Sequence, residues 1–226
     1  MNSAPLVLEL GGASGAPPRP PARFAEVNSA PLAGVAFLLL ASACATVPLP
    51  PPADVAARAR EAASYRARLR VSLKGPALRA RTPALVAFRR PDGLRLEIPG
   101  PAGPRLVAVA SGGRLVAVFP GERAVYAGEA RASQLEALLG VALEPAEVMD
   151  LLVGVPSPRL RRYVAAWGPA LPRRIEATLP DGSTLKATVE DPEVGAAFLD
   201  AAFAEPAHEG FRSVDAEEAR SLWSGR

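Results

Sequence analysis

Two neighbouring stretches, Leu-Val-Ala-Val-Ala at 106–110 and Leu-Val-Ala-Val-Phe at 115–119, set the strictest limit on how this chain folds. Both are short, rich in β-branched residues and bounded by turn residues, so both read as strands. Neither alternates polar with apolar. An antiparallel strand with one wet face shows that alternation, so both faces of these strands must be covered. Ser111-Gly112-Gly113-Arg114 between them makes the pair a hairpin. Whatever else the chain builds, it must place material on both sides of this hairpin.

The flanking sequence supplies more strands. Tyr65, Ala67, Leu69, Val71 and Leu73 alternate with Arg66, Arg68, Arg70, Ser72 and Lys74, the pattern of a long half-buried strand. Residues 78–90 read as a second strand, with Pro83 marking an edge or a bulge within it. Pro91-Asp92-Gly93 is a turn, followed by Leu94, Leu96 and Ile98 in alternation with Arg95 and Glu97. Residues 99–104, Pro-Gly-Pro-Ala-Gly-Pro, read as a rigid loop that cannot join a ladder. After Pro120-Gly121, residues 123–127 form a shorter strand. Further strands are expected at 160–167, 174–179 and 184–190.

Helices interrupt this order. An Ala/Arg/Glu segment from Asp54 to about Ser64 reads as one amphipathic helix capped by that aspartate. Ser133-Gln134-Leu135-Glu136 has capping-box spacing, and Gly140 sits where a helix ends. Pro145 and Glu147 suit the first turn of a second helix that Gly154 stops. A short helix is expected from Asp191-Pro192 toward Phe203. The last begins at Asp215, with Leu222 and Trp223 as docking residues. About eight strands around two central helices, in the order strands, helices, strands, argue for an α+β fold with one curved antiparallel sheet.

Upstream of all this lies an apolar run at residues 30–44, peaking at 35–40 and ending in Ala41-Ser42-Ala43 and Cys44. It is shorter than the roughly 20 apolar residues a spanning helix needs and is followed at once by Pro48-Leu49-Pro50-Pro51-Pro52. That suits the core and small-residue cleavage site of a secretory signal; an uncleaved apolar anchor is the competing reading. Leu40-Ala41-Ser42-Ala43-Cys44 resembles the lipobox of bacterial lipoproteins, which implies cleavage before Cys44 and acylation of its thiol. Two or three acyl chains, at roughly 0.8 kcal/mol per buried CH₂, hold a protein stably on a membrane. The expected organisation is a leader and signal at 1–43, an acylated cysteine and proline tether at 44–53, and a domain at 54–226. The leader itself is long, carries Glu9 and Glu26, and is basic only at Arg19 and Arg23, which leaves the true start codon open.

Reactive chemistry is scarce. Cys44 is the lone cysteine and His208 the lone histidine, so neither a disulfide, a His-based triad nor a multi-His metal site can be assembled. Glu217 and Glu218 are adjacent and face apart on a helix, and Asp92 and Asp181 have sufficient roles in turns. No cofactor is expected beyond the covalent lipid on Cys44, and no catalysis. The net charge of +3 is too small and too dispersed for a nucleic-acid binder. The Arg66, Arg68, Arg70 row is either a solvated face interleaved with carboxylates such as Glu97 or a basic surface for lipid headgroups or an acidic partner.

Three runs carry a further resemblance: Gly93-Leu94-Arg95-Leu96-Glu97-Ile98-Pro99-Gly100-Pro101, Val118-Phe119-Pro120-Gly121-Glu122, and residues 135–154. With the lipobox and the order of elements, the chain resembles the LolA/LolB superfamily of lipoprotein carriers, and most of all its LolB-like outer-membrane members, over residues 64–222. The resemblance implies an open half barrel with helices covering the concave side of the sheet. It implies a cavity for lipoprotein acyl chains, a periplasmic lipoprotein carrier as partner, and a lipid-anchored, periplasm-facing place at the outer membrane. Ala45 rather than aspartate after the anchor agrees with outer-membrane sorting by enteric analogy. Candidate cavity residues are Leu96, Ile98, Val107, Val109, Val116 and Val118, with the cavity-lining face left open. A protruding loop with a bulky apolar tip, which the resemblance also implies, finds only Ala102 at the centre of 99–104. The alternatives are a structural or envelope-assembly lipoprotein acting through protein partners, and, least supported by the residues present, an enzyme.

Overall fold

The computed structural model describes residues 53–224 except Ala77. The lipobox, Cys44 and the proline tether lie outside the described residues. A first helix, α1 (Ala53–Arg60), precedes a meander of six strands: β1 (Ser64–Lys74), β2 (Arg79–Arg89), β3 (Gly93–Gly100), β4 (Gly103–Ser111), β5 (Arg114–Phe119) and β6 (Ala124–Glu129). Helices α2 (Ala132–Leu139) and α3 (Pro145–Leu152) follow. The chain then returns as β7 (Arg162–Trp167), β8 (Pro172–Thr178) and β9 (Thr184–Val194), and closes with a 3-10 turn at Asp200–Phe203, β10 (Arg212–Ser213) and α4 (Ala216–Ser224). The strands form one sheet in the order β10-β6-β5-β4-β3-β2-β1-β9-β8-β7. Its neighbours are antiparallel apart from the two-residue parallel pairing of β10 with β6, for which the sequence carries no strand signal.

The sheet is open and curved, and its helices pack on the concave side, the fold class that the sequence implied. Inward residues of β1 to β6, β8 and β9 join Leu135, Leu138, Met149, Leu151 and Leu152 of α2 and α3, and Ala219 and Trp223 of α4, in one core. Tyr65 and Phe88 stack within it at 5.3 Å between ring centroids. α4 also completes α2. The Trp223 indole N–H donates to the Leu138 carbonyl at 2.8 Å, and Arg220 donates to the Ala137 and Glu136 carbonyls at 2.6 and 3.2 Å. These carbonyls belong to the last turn of α2, where helical partners run out; the Gly140 N–H also donates to the Glu136 carbonyl, at 2.9 Å. Gly140 ends that helix in the left-handed conformation, φ 71°, as its position predicts.

The covered second face of β4 and β5 is real, and a strap covers it. Leu106, Ala108, Ala110, Leu115, Ala117 and Phe119 face the helices. On the other side Val116, Val118 and Val125 are buried under Phe211. The segment 195–214 carries this cover across the convex side. It is pinned at one end by Ser64 Oγ donating to Ala196 O, then by Arg95 to Ala202 O, and at its far end by β10.

Several local expectations are corrected. Residues 99–104 do pair: Pro99 faces Pro104 and Gly100 faces Gly103, around a turn at Pro101-Ala102. A register shift between Ile98 and Pro99 admits the prolines, which regular ladders exclude. The helix expected from Asp191 is instead the end of β9, held on β1 by Arg66↔Glu193 and Tyr65↔Val194, and only the 3-10 turn at 200–203 remains. Ser133 is not the cap of α2. Arg131 occupies that position without a side-chain bond, because starting at Ala132 turns Ala132, Leu135 and Leu138 onto the core together. In α3, Pro145 and Glu147 stand where expected, and Glu144 supplies the capping box. Asp54 lies inside α1, paired with Arg58 at 2.9 Å.

Gly140→Ala is expected to cost about 1–2 kcal/mol, the penalty of a side chain in a left-handed turn, read as a lower midpoint in urea denaturation. The phenols of Tyr65 and Tyr163 are pushed well above the usual tyrosine range by burial, which a nearby Arg173 only partly offsets at Tyr65. Tyr126 shifts the same way for the same reason. Raised folded values mean stability is intact below the unfolded phenol pKa of about 10 and is lost as pH rises above it. Phenolate absorbance should therefore appear together with unfolding; tyrosines that ionise while the fold persists would contradict this burial.

Candidate functional site: an apolar hollow between sheet and helices

The concave face of the sheet is filled unevenly. Over β4 to β6, α2 and α4 pack directly onto the strands. Over β1 to β3 and β8 to β9 the roof spans the strands less completely, because the inward side chains of β2 are short. A hollow of about 150 Å³ remains. Leu69, Val71 and Leu73 of β1 and Ala80, Thr82, Ala84 and Val86 of β2 form its floor. Leu94, Leu96 and Ile98 of β3 form one wall, and Ile175, Leu185 and Ala187 the other. The roof is Leu135, Leu139, Val141, Leu143, Val148, Leu151 and Leu152 from α2, α3 and the turn between them, with Trp223 of α4.

The lining explains the shape. Along β2 the inward positions are Ala80, Thr82 and Ala84, whose small side chains leave space that neighbouring leucines do not fill. Among the described residues Thr82 is the one polar residue on the lining, and no ionisable group shares it. A space of this size with an aliphatic lining holds a small apolar molecule more favourably than water. The deeper lining residues are buried, whereas Val71, Ala80, Thr82, Leu96, Leu139, Val141, Val148 and Leu185 are half-buried and mark the rim. What this arrangement can do chemically is remove apolar groups from water; it has nothing with which to move a proton. Tyr163 lies nearby and spends its hydroxyl on the Leu151 carbonyl at 3.2 Å.

Of the six residues singled out from the sequence, Leu96 and Ile98 stand on the wall of the hollow. Val107, Val109, Val116 and Val118 point to the opposite face, where Val107 pairs with Val118 and Val109 with Val116 across the β4–β5 ladder. All four are buried on that convex side, with Phe211 of the strap packed against Val116 and Val118. Strand alternation separated the two faces in advance, but nothing local said which face the strap would take. Leu69, Val71 and Leu73 were legible as one face of β1, and their place in the lining follows from the return of β9 to that strand.

The arginine row is interleaved with carboxylates, though not with Glu97. Arg66 pairs with Glu193 at 2.6 Å and Arg70 with Glu190 at 2.7 Å, both from β9, while Glu97 pairs with Arg95 at 2.6 Å. His208 is a loop side chain with Nδ1 2.9 Å from the Pro206 carbonyl oxygen. Among the described residues no group of three or more His, Cys, Asp or Glu is placed to hold a metal ion.

No protein-family profile matches this chain, and no curated protein is similar to it. Solved structures with similar folds include a DUF1329 family protein from Desulfovibrio piger, 11% identical, covering 67% of this chain and 95% of that one with a TM-score of 0.41. A LolA superfamily protein from Nitrosomonas europaea is 13% identical over 67% of this chain and 95% of that one, with a TM-score of 0.42.

The two faces should separate in experiment. Ala84→Leu fills the hollow and is expected to abolish uptake of the uncharged fluorophore N-phenyl-1-naphthylamine with little loss of stability. Val116→Ala should cost about 2 kcal/mol in denaturation and leave uptake unchanged.

Proposed function

We propose that this protein is a lipid-anchored, periplasm-facing lipoprotein that binds the acyl chains of lipoproteins or lipids and aids their delivery to the outer membrane. The observation that carries the reading is the hollow: a lining of aliphatic side chains, open at a rim of half-buried ones, with no ionisable group on it among the described residues. Interiors of folded proteins are close-packed and unfilled space costs stability, so a space left this size points to a ligand.

Two of the three runs that resemble the LolA/LolB superfamily coincide with its walls. The run beginning at Gly93 is β3, which presents Leu94, Leu96 and Ile98, and residues 135–154 are the α2–α3 roof. The third run lies at the β5–β6 turn, away from the hollow. As it stands the space accepts the end of one chain. Fuller insertion requires the α2–α3 turn, with Leu139, Val141 and Val148 on its flanks, to move outward. Each methylene buried then contributes about 0.8 kcal/mol. In this reading Cys44 is the acylated first residue, residues 45–52 are the tether, and a periplasmic carrier hands over the cargo. Binding, rather than catalysis, is the activity.

The competing reading is an envelope-assembly lipoprotein that works through its basic convex face and leaves the hollow empty. The lipid content of a Cys44→Ala chain purified from cells decides between them. The expected result is co-purifying lipid, lost in the Ala84→Leu variant; a lipid-free protein with a salt-sensitive protein partner favours the competitor. Intact mass of the wild-type protein should show cleavage before Cys44 and added acyl mass.

A further inference from the structure

The hollow has an opening that its apolar lining does not explain. β2 pairs with β1 along its whole length, from Lys74↔Arg79 to Ser64↔Arg89, but with β3 only from Leu85↔Glu97 to Arg89↔Gly93. Among the described residues, 79–84 therefore have no strand neighbour on the β3 side, and beyond Glu97 the strand β3 continues paired with β4 alone. Pro83 sits in this free half, where a missing N–H costs no ladder bond. Thr82 sits there too. Its hydroxyl donates to the Pro83 carbonyl at 3.0 Å in an exposed bond, so the lining meets water at this point.

Directly behind the same strand lies a second, shallower depression on the convex face. It shares Leu69, Thr82 and Ala84 with the hollow, so the free half of β2 is what divides the two. Around it stand Arg68, Arg70, Arg81, Pro83, Pro99 and Glu190. Among the described residues Glu190 is its one carboxylate, and Arg70 pairs with it at 2.7 Å. Arg68 and Arg81 are exposed and form no ion pair among the described residues. Two free guanidinia thus flank the place where an apolar space reaches solvent.

We propose that the slot between the free half of β2 and the Pro99 end of β3 is the entry to the hollow, and that Arg68 and Arg81 beside it form a headgroup subsite for anionic amphiphiles. The inference rests on the acyl-binding reading above and narrows its ligand. The chain enters past Thr82 and lies against Ala84 and Ile98, while a carboxylate or phosphate at its polar end stays outside and accepts hydrogen bonds from the guanidinia. The planar guanidinium fork matches both anions in geometry. An uncharged lipid gains the burial of its chain and nothing from the arginines.

The test uses the full chain carrying Cys44→Ala, loaded with N-phenyl-1-naphthylamine, which has no charge and reports on the hollow alone. Palmitate, palmitoyl-oleoyl-phosphatidylglycerol and hexadecanol compete for it. Palmitate and the phosphatidylglycerol should each displace the probe at a lower concentration than hexadecanol. In an Arg68→Ala/Arg81→Ala variant that advantage should shrink about tenfold, the sum expected of two partly screened charge contacts, with the hexadecanol midpoint unchanged. The Arg68→Lys/Arg81→Lys variant should keep part of it, and salt should weaken it in wild type and in the lysine variant, but not in the alanine variant. Equal displacement by palmitate and hexadecanol in wild type, or a double variant that weakens both alike, overturns the subsite. A preference for only one of the two anions narrows the headgroup to that anion and upholds the subsite. A probe that never binds refutes acyl binding itself, whereas a probe that binds without charge preference refutes the arginine subsite alone.

Discussion

The antiparallel pairing of β9 with β1 governs the rest of the architecture. The meander from β1 to β6 builds one wing of the sheet, and β7 to β9 build the other. Because β9 returns to the first strand rather than extending from β6, the connection between the wings must cross one face of the sheet, and it takes the concave one. That connection is α2, α3 and their turn, whose apolar faces pack on the inward side chains and form the roof. The sheet also gains two outer strands far apart in its order, β7 and β10, and stays open. An open curved sheet with a helical roof has one volume to fill, and the inward side chains decide how far it is filled.

They fill it on one side. At β4 to β6 the inward residues meet Trp223 and the buried face of α2, and the capping of α2 by Arg220 and Trp223 binds the C-terminal helix to that half. At β1 to β3, with Ala80, Thr82 and Ala84 on β2, the roof spans a gap. Interiors of folded proteins are close-packed, so an unfilled aliphatic space with a half-buried rim is the feature that most separates this domain from a simple α+β core. The strap over the convex face belongs to the same logic. By burying Val107, Val109, Val116 and Val118 from outside, it lets both faces of β4 and β5 be apolar and leaves the basic face of β1 and β2 open to solvent.

Much of this was legible in the chain itself. Alternation in β1 and β3, the turns at Asp92 and Gly112, the stop at Gly140 and the cap at Asp215 are local signals, and each matches the structure. The covered hairpin was legible too, since a strand without polar positions cannot have a wet face. Less was readable where a residue's role depends on a distant partner. Asp191 and Pro192 look like a helix start until β1 is laid beside them, and Pro99 and Pro104 look like a loop until a register shift lets them face each other. The roof residues Leu139, Val141 and Val148 carry no mark in the sequence that they would bound a hollow.

By itself, then, the sequence determined most of the strands and their two faces, the central helices and the need to cover both sides of one hairpin, because periodicity and turn chemistry are properties of near neighbours. Only the tertiary structure decided which covered face would be solid and which would enclose space. That choice placed Leu96 and Ile98 on the lining and the four valines beneath the strap. It depends on where β9 and the segment 195–214 come to rest, residues more than a hundred positions from β1. Short side chains such as Ala80 and Ala84 become a cavity only when nothing larger arrives opposite them.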